Sequence, residues 1–188
     1  MVATCEASAT RNGWDNFEKG LADGYSLLLG DPVHYVNQEY LFDDAFLGCD
    51  RPEYLMYYDT PPGKALVGLM FITQKPLDEG PQFGGALTRW HYHYWAKPFC
   101  MRDGLMVIGS PRRGKCEVGN LSFRSPEMLH VWRLDHPAGK FSPMMHLDNE
   151  TVQRLLAERS NDHSTNHTHP TGNTHSTDPS ADPTAPFD

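Results

Sequence analysis

The sequence predicts a mainly β domain, flanked by an N-terminal and a C-terminal helix and followed by a disordered tail. Three observations predict it. Between 53 and 134 the chain is a succession of short runs rich in aromatic and β-prone residues, broken by Pro, Gly and Asp. On either side of that stretch, apolar residues recur at helical spacing. After Ser160 the composition turns to Asn, Asp, Ser, Thr, Pro and His, which cannot bury enough surface to offset the entropy of ordering.

The elements follow in order. Residues 1–12 are small and polar and read as a flexible leader. Trp14, Phe17, Leu21, Tyr25 and Leu28 then mark one face of a helix over 14–29, weakened by Gly20 and Gly24 and closed by Gly30-Asp31-Pro32. From 33 to 50 the pattern is irregular and aromatic. Residues 53–58 and 65–73 read as two strands, and Asp59-Thr60-Pro61-Pro62-Gly63 between them is a hairpin signal. Past a Pro- and Gly-rich loop ending at Gly85, residues 86–95 read as an aromatic strand, with shorter strands at 105–109 and 129–134. Residues 147–158 form a terminal helix, with Asp148 or Asn149 as N-cap and Val152, Leu155 and Leu156 on one face. The sum is one domain over 13–159 and a disordered, His-rich tail over 160–188.

Bulk properties exclude some functions. The formal net charge is -8, and no Lys/Arg cluster supplies the basic face that nucleic acid requires. No apolar run reaches the length of a membrane span. Without an apolar stretch near Met1, a cytoplasmic protein is the default, with an exported form left open. Cys100 and Cys116 read as a disulfide, as free thiols, or as partners of His91 and His93 in a closed zinc site.

The chemistry concentrates in Trp90-His91-Tyr92-His93. In a strand alternate residues share a face, so His91 and His93 can converge on one ion, with Arg89 and Trp95 on the same side. Imidazole suits Fe, Cu, Zn and Ni. Glu53, at the head of an apolar strand, is a candidate fourth ligand or general base, and Arg89 a candidate clamp for a substrate carboxylate. Tyr54, Tyr92, Trp95 and Trp132 are candidate pocket residues. His34 reads either as a contact to the ligands or substrate or as an ordinary loop histidine, the second being favoured. Met144, Met145 and His146 could supply soft ligands, although adjacent methionines more often fill core gaps. The tail histidines, among them His163, His167 and His169, give a segment with weak metal affinity.

Gly85 with His91 and His93 resembles the first half of the first cupin motif, and Gly119, Pro126 and His130 resemble the second motif. That resemblance implies a cupin-like β-barrel or sandwich. It also implies a three-His site of His91, His93 and His130, since the family's glutamate has no counterpart over 94–98. Blocks around His34, Arg51, Trp90 and Met128 also resemble a bacterial family of unassigned function. That second resemblance groups His34, Glu53, His91, His93, Cys100 and His130 into one constellation.

The leading expectation is therefore a small metal-dependent enzyme of the oxygenase, lyase or isomerase type. It would hold one divalent first-row ion, Fe(II) favoured over Cu or Zn, act on a small molecule and pair as a homodimer. Its rival is a non-catalytic copper- or zinc-binding protein, either a carrier or a structural site. A third reading has the histidines merely pack and hydrogen-bond.

Overall fold

Two antiparallel sheets face one another in the computed structural model of the chain, which describes residues 1–43, 45–73, 75 and 79–165, with side chains to 160. The larger sheet contains β1 (Tyr25–Leu27), β2 (His34–Asn37), β3 (Tyr54–Thr60), β4 (Gly63–Ile72) and β8 (Met128–Trp132), in the order β1-β2-β3-β4-β8. The smaller has the order β6-β5-β7, from β5 (Tyr94–Arg102), β6 (Met106–Gly109) and β7 (Asn120–Arg124). The mainly β expectation holds at this level.

The larger sheet is buried on both faces. Leu55, Tyr57, Leu69, Phe71, Leu129 and Val131 point to one side, where they meet the N-terminal segment. That segment is not a loose leader: residues Val2–Arg11 form α1, with Cys5, Ser8 and Ala9 buried. Side chains this small let the helix approach closely but give almost no hydrophobic periodicity, which is why the sequence hid it. The helix expected over 14–29 shortens to α2 (Phe17–Ala22), because Gly24 takes a positive φ and turns the chain into β1. Asn16 caps α2 by accepting from the backbone of Glu18. Phe17 meets Tyr35 and Tyr57 edge-on, and Tyr57 Oη donates to Trp14 O at 2.7 Å.

The other face carries Val36, Tyr54, Met56, Tyr58, Met70, Met128 and Trp132. It packs against Leu105 and Met106 of the small-sheet hairpin and against Val152 and Leu155 of α4 (Asn149–Thr165). Asp148 caps α4 as expected, accepting from Thr151 N at 2.7 Å, but the helix runs beyond the expected end at 158. The tail expected over 160–188 therefore begins inside α4, and its part from 166 onward lies outside the described residues.

The hairpin β3–β4 forms where the turn signal placed it, with Thr60 opposite Gly63. A bulge interrupts it: Met56 faces Gly68 while Tyr57 faces Leu66, leaving Val67 unpaired within that ladder. The freed Val67 carbonyl accepts from Arg133 N at 2.9 Å, just past β8.

Residues 86–95 do not form the strand expected there. Gly85–Leu87 is a 3-10 turn, and His91 makes a single bridge to Met128 before β5 begins at Tyr94. The physical reason is a corner. His91 exchanges backbone hydrogen bonds with Met128 at the margin of the large sheet, Ser125 N donates to His93 O at 3.0 Å, and Tyr94 pairs with Arg124 in the small one. The segment 91–94 thus passes from one sheet to the other alongside the bend at Ser125-Pro126.

Two disulfides cross-link the chain. Cys5 is joined to Cys49, and Cys100 to Cys116. Cys100 and Cys116 are therefore neither metal ligands nor free thiols.

Candidate metal centre

The corner and the inward face of the large sheet bring four imidazoles together. His34 comes from β2, His91 and His93 from the corner, and His130 from β8. His130 is fully buried, His34 nearly so, and His91 partly; His93 is exposed on one side. Ring centroids lie 4.7 Å apart for His91–His130, 5.3 Å for His91–His93 and 5.4 Å for His34–His130. Two imidazoles sharing one ion at a metal–nitrogen distance of about 2 Å have centroids about 5 Å apart. Each of these pairs is at that spacing.

Hydrogen bonding orients three of the rings in the same way. His34 Nδ1 lies 2.7 Å from Asp31 Oδ2, His130 Nδ1 is 3.2 Å from Ser142 O, and His91 Nδ1 is 3.4 Å from Arg89 O. Carboxylates and carbonyls only accept, so in the neutral rings Nδ1 carries the proton and Nε2 keeps its lone pair. In all three, Nε2 is buried and has no partner. A buried polar atom without a partner is costly in a finished core. The pattern is that of metal-binding histidines, whose second nitrogen is held by an acceptor.

Electrostatics favour the neutral forms of His91, His93 and His130. Burial pulls His91 down to about 4, with His93 and His34 adding repulsion to its charged form. His130 is held well below the ordinary range by burial and then by His34, His91 and His93. Burial and His34 lower His93 as well. Asp31 is drawn down to about 2: burial opposes its charge, but His34 and two backbone N–H groups outweigh it. Neutral imidazole is the form that binds metals.

As the side chains lie, no group of three or more His, Cys, Asp or Glu among the described residues closes into a position to hold an ion. The ring pairs form a chain from His93 through His91 and His130 to His34, rather than a ring around one point. The set has ligand spacing and ligand tautomers; convergence requires the rings to turn.

A cavity of about 450 Å³ opens beside the cluster, between the two sheets. His34, His93, Tyr54 and Trp95 line it, as do Met145 and His146. Of the other expected residues, Trp132 packs beside His130, with centroids 6.0 Å apart, and Tyr92 lies on the outside under the Arg124 guanidinium. Arg89 is exposed and lines no part of this cavity, so it does not stand as a clamp there. Glu53 is buried near Tyr25, Tyr54 and Asp43, with which it interacts electrostatically, and it too is absent from the cavity wall. His34 is the residue that local pattern assigned to a loop and tertiary structure moves into the site. Its signal was the neighbouring Asp31, a carboxylate three residues away able to fix its tautomer.

No family model, curated protein or solved structure matches the chain.

Proposed function

We propose that His34, His91 and His130, with His93 beside them, form a first-row metal centre at the wall of the apolar cavity, and that the protein is a small metal-dependent enzyme. The observation that carries this reading is the repeated arrangement on three separate segments: Nδ1 bound to an acceptor and a buried Nε2 with no partner. Packing alone gives no reason for three such atoms to gather in one place. The cupin-like resemblance supports the same reading, since it draws a His pair from one segment and a further His from the segment paired with it. A cupin relationship, with its closed barrel, is part of the proposal.

An all-imidazole set suits Fe, Cu or Zn, and the ion would supply Lewis acidity or redox chemistry to a bound small molecule. The chain's own residues do the rest. Asp31 and the Arg89 and Ser142 carbonyls orient the rings, and the cavity walls exclude water. The side chains of Glu53 and Arg89, the two catalytic candidates, line no part of the cavity. A carrier without catalysis is the second reading, favoured by the ligand set not being converged as it stands.

Elemental analysis of protein purified without metal-affinity resin tests the centre. One ion per chain is expected, retained when 166–188 are removed and lost in His130→Ala and His34→Ala. An ion lost with the tail, or none at all, would sink the proposal.

A further inference from the structure

Building on the metal-centre reading of the histidine cluster, we propose that the adjoining cavity takes an uncharged, largely apolar small molecule that presents one polar group, of the phenol or alcohol kind, to the histidines. Its volume of about 450 Å³ is that of a small-molecule site. Both sheets build its walls, with Tyr54, Met70 and Ile72 from the large one and Met101 and Val107 from the small one. These are apolar or aromatic surfaces, and thioethers lie favourably against aromatic rings.

Charge decides the class. Among the described residues no Arg or Lys lines the cavity. A carboxylate or phosphate would enter without a counter-charge and lose its hydration uncompensated. Among the described residues the only acidic group on the wall is Asp31, which repels anions further. Nor is Asp31 available to a cation: Oδ1 accepts from Val33 N and His34 N, and Oδ2 is held by His34 Nδ1.

Two of the wall's hydroxyls, those of Ser125 and Tyr58, are also committed. Ser125 Oγ accepts from His93 N and donates to Pro126 O, while Tyr58 Oη donates to Met145 O. The polar ground left to a ligand is the Tyr54 hydroxyl and the imidazoles, His34 and His93 at the cluster and His146 on the exposed side. A molecule with one polar end and an apolar body satisfies both parts of this wall.

The test compares 4-propylphenol with 4-propylbenzoate, similar in shape but neutral and anionic respectively near neutral pH. Binding to the full-length, metal-free protein is followed by calorimetry. The phenol is expected to bind and the benzoate to bind on the order of tenfold more weakly or worse, because its charge is buried unpaired. Val107→Trp and Met145→Trp fill the cavity from two partly exposed positions on different segments. Each is expected to weaken the phenol by about tenfold or more, with unchanged circular dichroism. Equal or tighter benzoate binding, no phenol binding, or phenol binding indifferent to both tryptophans would overturn the inference. Metal content is read separately by elemental analysis. A chain that binds the phenol but no metal would defeat the metal centre alone, and the converse would defeat the ligand class alone.

Discussion

Asp31 does for His34 what no local pattern of the histidine itself could do. By accepting from Nδ1 at 2.7 Å it fixes the proton there and leaves Nε2 to face the cluster. Removing such a supporting carboxylate from a metal site costs about 10–100-fold in affinity. Asp31→Ala is therefore expected to weaken the ion by that range in competition with a chelator while His34 remains. Unchanged affinity would take His34 out of the ligand set. Glu53 shows what an acid does when it lies outside the site. Burial raises its carboxyl to about 8, and the charge of Asp43 adds to the shift. The folded chain thus holds a proton that the unfolded chain has released above its ordinary value of 4.5. The stability tied to that proton is complete below pH 4.5 and drains away as the pH rises towards 8. Glu53→Gln should leave the melting temperature unchanged near the acid end and raise it relative to the parent at pH 8. A constant difference across the range would contradict this assignment.

Between elements, one tight constraint is where β4 meets β8. A Cβ on Gly68 would lie 2.8 Å from the Val131 carbonyl and 3.3 Å from Met56 Cε, so the glycine is required by close approach next to the Val67 bulge. Gly68→Ala must push the strands apart, at a cost of about 1–3 kcal/mol, read as a lower urea midpoint. Because β8 carries His130, weaker metal binding should accompany it. An unaltered midpoint would mean the pair can yield at no cost. The same scale explains what the sequence could and could not convey. The β3–β4 hairpin and the Asp148 cap were legible because turn and cap chemistry are local. Strand β2 was not, since all four of its residues are buried and no alternation remains to see. Strand β7 alternates only between partly and fully exposed positions, which leaves the same silence. His91, His93 and His130 could be named from spacing and resemblance. The second resemblance groups His34 with them, but no local pattern marks it as a ligand, because β3 and β4 separate its strand from β8 and only the folded sheet brings the two rings to 5.4 Å.

For the molecule as a whole, the disulfides set the conditions under which this arrangement persists. Cys5–Cys49 and Cys100–Cys116 close loops with sequence separations of 44 and 16. Loops of these lengths contribute about 3–4 kcal/mol each through the unfolded chain. Reduction with dithiothreitol should lower the melting temperature markedly, and the double replacement Cys5→Ala with Cys49→Ala should cost at least as much as Cys100→Ala with Cys116→Ala. Indifference to reduction would show that the links carry no stability. Two such bonds are what an oxidising compartment preserves and a reducing one does not. No helix among the described residues is long and apolar enough to cross a membrane.

The corner at 91–94 has a consequence for how this chain can vary. The segment answers to both sheets, through His91 with Met128 on one side and Tyr94 with Arg124 on the other. Side chains along extended backbone alternate with a period of two, so a single inserted or deleted residue would exchange the inward and outward positions of the pair. A histidine could be kept at either place and still face the wrong way. Here the number of residues is under as much constraint as their identity. Substitutions at Tyr92, whose side chain lies outside, should be tolerated where any change of length is not.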